Sequence, residues 1–167
     1  MISTPFVKTR ILELLQARST FESVSLLYGK PESPSDLSGS DPLVQQSVMF
    51  DDPEGELIVD EMCGPLRMDY REEYAIDLIV QVMARTRDAT AEFVDDRRAW
   101  LMWEIVQALQ DSTLGFATTD DSRFDQVYVE LGEVVNVSGW MPAASTNLAA
   151  SRSQITLNVQ ANITIEA

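Results

Sequence analysis

Carboxylates are the only abundant side chains in this sequence that lend themselves to chemistry. The chain has 27 aspartate and glutamate residues, 12 lysines and arginines, one cysteine and no histidine. Two carboxylates held across a cleft can act as acid and base on a glycosidic bond. Asp51/Asp52, Asp95/Asp96 and Asp120/Asp121 are adjacent pairs of the kind chance supplies at this acid content, and sequence shows no cleft between them. Residues 51–55 place three acids in one short turn. That run reads as a solvated turn, because a hard cation needs more oxygen ligands at fixed spacing. Cys63 has no histidine with which to form a thiolate pair and reads as inert.

The missing histidine removes the commonest general base and metal ligand. Histidine-dependent triads and HExxH-type zinc sites are excluded with it. The sequence also has no Walker loop, no dinucleotide glycine fingerprint and no nucleophile elbow. The expectation is a protein that is not an enzyme, with no catalytic, metal or cofactor-binding residue and no cofactor.

A formal net charge of −15 leaves no basic patch to release counterions from phosphates, so binding to the outside of nucleic acid is not expected. The charge reads either as a means of solubility or as an acidic wall along which DNA slides without sticking. A lone cysteine rules out an internal disulfide and suggests synthesis in a reducing, intracellular compartment. No apolar run approaches the ~20 residues of a membrane span, and the first residues lack the blocks of a secretory signal. An apolar fraction of 45% over 167 residues is enough for one domain with a real core, spanning residues 1–167.

Residues 73–110 form the unit around which the rest is arranged. Tyr74, Ile76, Leu78, Val80 and Val82 alternate with Glu73, Asp77 and Gln81, the period of a strand with one buried face. At ~3.3 Å per residue such a strand outruns a small core, so part of it is expected to project toward a neighbouring subunit. From Ala89 to about Gln110 the period becomes helical, with Val94, Leu101, Ile105, Ala108 and Leu109 in one stripe. Phe93, Trp100 and Trp103 lie off that stripe. They read as core filling or as a subunit interface, where large aromatics concentrate. Candidate interface residues are Phe93, Trp100, Trp103, Glu104, Asn158 and Gln160.

Before this unit, Thr4 and Pro5 open a helix to about Ala17, with Thr4 as cap, Val7, Ile11, Leu14 and Leu15 as its apolar stripe, and Lys8, Arg10 and Arg18 in solvent or near its C-terminus. Residues 22–28 read as a short strand, and 46–50 and 56–61 as a hairpin joined through the acidic turn. After it, residues 114–122 are polar and turn-rich. Residues 124–137 form a strand that Gly132 interrupts as a bulge. The last strand, Ile155 to Glu166, alternates throughout and is expected to offer an edge for pairing with another chain. Two long loops, 29–45 and 138–153, are rich in Gly, Pro, Ser and small residues. The fold class is α+β: a twisted, mainly antiparallel sheet of about four to six strands with two principal helices packed on it.

This order of elements resembles the tail terminator, or tail completion, proteins of long-tailed bacteriophages. The features that carry the likeness are the opening run Pro5–Leu15, the strand Tyr74–Met83 feeding the helix Ala89–Gln110, and the closing strand Arg152–Glu166. The likeness is one of layout over most of the chain and involves no residue motif. It implies a structural virion protein made in the host cytoplasm. Such a protein assembles as a homo-oligomeric ring, usually a hexamer, at the head–tail junction, where it caps the tail tube. It contacts the tube protein and a head-completion or connector protein, binds no membrane, and lets DNA pass through its lumen unbound. Under that resemblance the two loops become partner-contact candidates, represented by Lys30, Asp36, Trp140 and Asn147. Another neck component, or a monomeric acidic module that mimics nucleic acid, are the alternatives.

Overall fold

The computed structural model describes residues 2–29, 44–62, 67–84, 91–111, 115–116, 124–136 and 149–166. In chain order these form α1 (Thr4–Gln16), a single 3-10 turn (Ser19–Phe21), β1 (Ser25–Leu27), β2 (Val44–Phe50), β3 (Glu54–Met62), β4 (Arg67–Ala84), α2 (Ala91–Asp111), β5 (Gly115–Phe116), β6 (Phe124–Asn136) and β7 (Ala149–Glu166). The strands make one twisted sheet in the order β1-β2-β4-β7-β6-β5, with β3 also paired to β4. Only the β1–β2 pairing is parallel. The α+β class with two helices on a mainly antiparallel sheet is therefore as the periodicities require.

Alternation sorts β4 and β7 into two faces. Tyr74, Ile76, Leu78, Val80 and Val82 of β4 and Ile155, Leu157, Val159, Ala161 and Ile163 of β7 all lie in one core. Val48 and Phe50 of β2 and Val127 and Val129 of β6 extend it. The two helices cover that face, α1 with Val7, Ile11 and Leu15, α2 with Val94, Leu101, Ile105, Ala108 and Leu109. At ~25 cal/mol per Å² of apolar surface removed from water, this single layer supplies the main driving force for folding. Ser47, Met49, Ile79 and Met83 are buried on the sheet's other face. Among the described residues, no helix is long and apolar enough to cross a membrane.

Several local expectations are overturned. β2 and β3 are not a hairpin. Both run antiparallel to β4 along the same edge, β2 against Leu78–Ala84 and β3 against Met68–Ala75. The two lie end to end, with the Asp51 amide still donating to the Asp77 carbonyl at 2.8 Å across the break. β4 has 18 residues, about 60 Å of edge, which is enough for both. The hairpin is instead β3–β4. β7 pairs with the over-long strand through all 18 residues. β7 is accordingly not an edge; it lies between β4 and β6.

Residues 149–153, expected in a loop, open β7. Their small side chains hide the alternation, and Ser153 is fully buried there, hydrogen-bonded to Arg98 of α2. Residues 44–45 likewise belong to β2, Glu54 and Gly55 to β3, and Gly115–Phe116 to a short strand inside the expected turn region. Gly132 does sit at a break in register, between Leu131 and Val134. A Cβ there would come within 2.9 Å of the Asn158 amide nitrogen.

Candidate functional site

The buried polar groups come first, because they are where chemistry would be sought. Glu72 is 1% exposed on the core face of β4. Its carboxylate accepts from the Ile2 amide at 2.6 Å, the Ser3 amide at 2.9 Å and the Ser3 hydroxyl at 2.5 Å. The Ser3 hydroxyl also lies 3.0 Å from the Tyr74 hydroxyl. A serine beside a carboxylate is a nucleophile's arrangement, yet Ser3, Glu72 and Tyr74 are all buried and the carboxylate already accepts from two backbone amides besides the Ser3 hydroxyl. Its position fits a different task. It lies at the N-terminus of α1, where unpaired amides and the helix dipole favour an anion. Ser3, not Thr4, is the residue before the helix, and its side chain makes no capping bond to its own helix. The cap comes from β4 instead, so this cluster fastens α1 to the sheet. Burial pushes the Tyr74 hydroxyl above its ordinary value of 10.0, against the pull of Ser3.

Lys8 corrects a second expectation. It is buried, not solvated, with its ammonium 5.0 Å from the Tyr28 ring centre and 5.7 Å from that of Phe50. Burial pulls its pKa below 10.5, and the carboxylates of Asp52 and Asp51 partly restore it. Among the described residues, the acid pairs Asp51/Asp52 and Asp95/Asp96 do not form a centre. Asp51 accepts from the Asp52 amide at 2.8 Å, and Asp95 faces Ser151 and Arg98. Among the described residues, no three His, Cys, Asp or Glu side chains converge as a metal site.

Among the described residues, two exposed surfaces stand out, on opposite sides of the sheet. The first is a ridge on the outer side of α2. Phe93, Trp100 and Trp103 are 46%, 48% and 57% exposed. At ~100° per residue Phe93 and Trp100 fall in one row on the flank of the helix, and Trp103 lies roughly 60° further from the core residues Val94, Leu101 and Ile105. Apolar rings of this size left half in water are costly unless something covers them. Glu104 does not join them. It is turned toward the C-terminal end of α1 and pairs with Arg18 at 3.4 Å.

The second surface is a groove of about 890 Å³ on the helix-free face. It crosses β3, β4, β7 and β6, and its lining includes Glu54, Glu73, Tyr128, Glu130, Asn158 and Gln160. The register explains the clustering: Glu73, Gln160 and Tyr128 lie side by side in one cross-strand row, and Ala75, Asn158 and Glu130 in the next. Gly55 lets β3 close in at one end, with a would-be Cβ only 2.3 Å from the Glu73 carbonyl oxygen. Below the groove, Asp77 accepts from Gln154 and Thr156 at 2.7 Å each, which fixes the face's polar side chains.

The six interface candidates thus fall into three places. Phe93, Trp100 and Trp103 share the ridge, Asn158 and Gln160 line the groove, and Glu104 is engaged within the chain. Lys30, Asp36, Trp140 and Asn147 lie outside the described residues, as do Cys63 and the Asp120/Asp121 pair. Sequence reasoning missed Glu54 and Glu130 as groove residues. The period-two pattern puts Tyr128 and Glu130 on the polar face of β6, but only the register sets them beside Asn158 and Gln160. No protein-family model matches the chain, and no curated protein matches it.

Proposed function

We propose that this chain is a structural virion protein, a ring-forming tail terminator or a close neck relative at a phage head–tail junction. In this reading it has no catalytic role. It stands beside copies of itself, caps the tail tube, meets a connector on the other side and leaves a lumen for DNA. The observation that carries the reading is the exposed ridge of Phe93, Trp100 and Trp103: the chain displays more aromatic surface than one copy covers. The layout of helix, long strand, long helix and two long strands supports it, as does a net charge of −15, which suits a passage that must not retain DNA.

Electron microscopy of the purified protein, alone and with purified tail tubes, tests the proposal. Closed rings, or caps at one end of the tubes, are the expected result. Neither rings nor caps would reject it. A monomer that instead precipitates with a basic polypeptide would favour an acidic binding module, to which the carboxylate-lined groove is suited.

A further inference from the structure

The groove on the helix-free face plays no part in the ring reading, and its chemistry points to a different partner. We infer that it receives an extended segment of another protein that carries lysine or arginine side chains. The inference goes beyond the ring reading and does not rest on it.

Three observations carry it. The first is what the face leaves unsatisfied. Beside the groove, Asp77 is held by Gln154 and Thr156, and Glu73 pairs with Arg71 at 2.9 Å. In the groove itself, the side chains of Glu54, Glu130, Asn158 and Gln160 have no hydrogen-bond or ion-pair partner among the described residues. Their neighbours are satisfied within the chain, and these four are left for whatever enters. The second is charge. Glu54 and Glu130 are exposed carboxylates, and no lysine or arginine is among the described residues that line the groove. The net charge of −15 adds attraction at a distance for a basic partner and repulsion for a second copy.

The third is spacing. The register sets Glu54, Ala75, Asn158 and Glu130 in one cross-strand row. The two free carboxylates thus belong to the ends of the row, three strand spacings or about 14 Å apart at ~4.8 Å each. Between them Ala75 contributes only a methyl group to the floor. An extended chain advances ~3.3 Å per residue and turns every second side chain the same way, so positions i and i+4 stand about 13 Å apart on one side. A segment lying along the row therefore sets two cationic side chains, four residues apart, over Glu54 and Glu130. Its backbone meets Asn158 and Gln160, whose amide groups both donate and accept. A volume of about 890 Å³ holds such a stretch. A small polyamine would meet the carboxylates and leave both amides idle.

Fluorescence anisotropy with labelled nine-residue peptides tests this on the full chain. One Gly/Ser peptide carries arginine at its third and seventh positions, a second has the two arginines adjacent, and a third has glutamine in their place. The spaced-arginine peptide is expected to bind and to weaken with salt. The adjacent version should bind several-fold more weakly, and the glutamine version not at all. Glu54→Gln and Glu130→Gln should each weaken binding about 3-fold, the effect of one exposed ion pair, and the double variant about 10-fold, because sites this far apart add. Glu22→Gln removes an exposed charge outside the groove and should bind like wild type. Circular dichroism verifies that each variant folds. Wild-type binding by the double variant, or an equal loss in Glu22→Gln, would overturn the inference. Spermidine that displaces the peptide at equal charge would overturn it too, by assigning the groove to small polycations. Binding is read whether or not copies assemble. A failure here therefore leaves the ring reading standing, and a monomeric wild type that binds the peptide leaves this inference standing.

Discussion

Glu72 and Lys8 are the residues where burial and charge meet, and each makes a stability prediction. Glu72 receives three hydrogen bonds from the start of the chain. In Glu72→Gln the side-chain NH2 takes the place of one carboxylate oxygen, so a donor is set against either the Ile2 amide or the Ser3 amide. The expected loss is about 2–3 kcal/mol, read as a lower midpoint in thermal or urea unfolding, since bonds to a charged acceptor are the strong ones and orphaned buried donors are costly. For Lys8, a folded pKa below 10.5 means that the folded chain holds fewer protons than the unfolded chain between the two values. Stability therefore climbs with pH across that interval, and the penalty is fully present at neutral pH. Lys8→Met should raise the melting temperature at neutral pH and abolish the alkaline climb; a lowered melting temperature there would show that the ring contacts of Lys8 outweigh its burial. Neither residue's role was legible in the sequence. Glu72 acts on residues about 70 positions away, and Lys8 looks like any polar residue on a helix until Tyr28 and Phe50 close over it.

Elements were legible where period alone decides them. The buried face of β4, the stripe of α2 and the closing alternation of β7 all lie in the core as their spacing requires. Pairing was not legible, because a period says which face is buried and nothing about which neighbour lies alongside. Hence β2 and β3 looked like a hairpin, and β7 looked like an edge. Small residues also erase the signal, as at residues 149–153 beneath α2. Gly55 is the sharpest test of the β3–β4 register. An alanine methyl would meet backbone and Cβ atoms at 2.3–2.4 Å, which no side-chain rotation relieves. Gly55→Ala should cost about 1–3 kcal/mol, the usual range for overpacking, and should speed amide hydrogen exchange in β3 above that in β2. Unchanged exchange in β3 would contradict the close approach.

At the scale of the whole molecule, one sheet separates two unlike surfaces, an aromatic ridge and an acid-lined groove. Of these, the ridge was half legible. Phe93, Trp100 and Trp103 fall off the apolar stripe of α2, but whether they were core or surface needed the fold. The groove was not, because its walls come from four strands. A chain of net charge −15 that meets its own copies must overcome self-repulsion, so added salt should tighten the association. Binding to a basic partner would weaken with salt instead, which separates the two readings in one titration.

The central claim is that the ridge is covered by another copy of this chain. Sedimentation equilibrium of the wild type beside W100S/W103S, over a wide range of protein concentration at moderate salt, tests it most directly. The expected result is a closed oligomer of defined size for the wild type and a monomer for the variant. A wild type that sediments as a monomer at every concentration and also forms no caps on tail tubes, or a variant that assembles equally well, would contradict it.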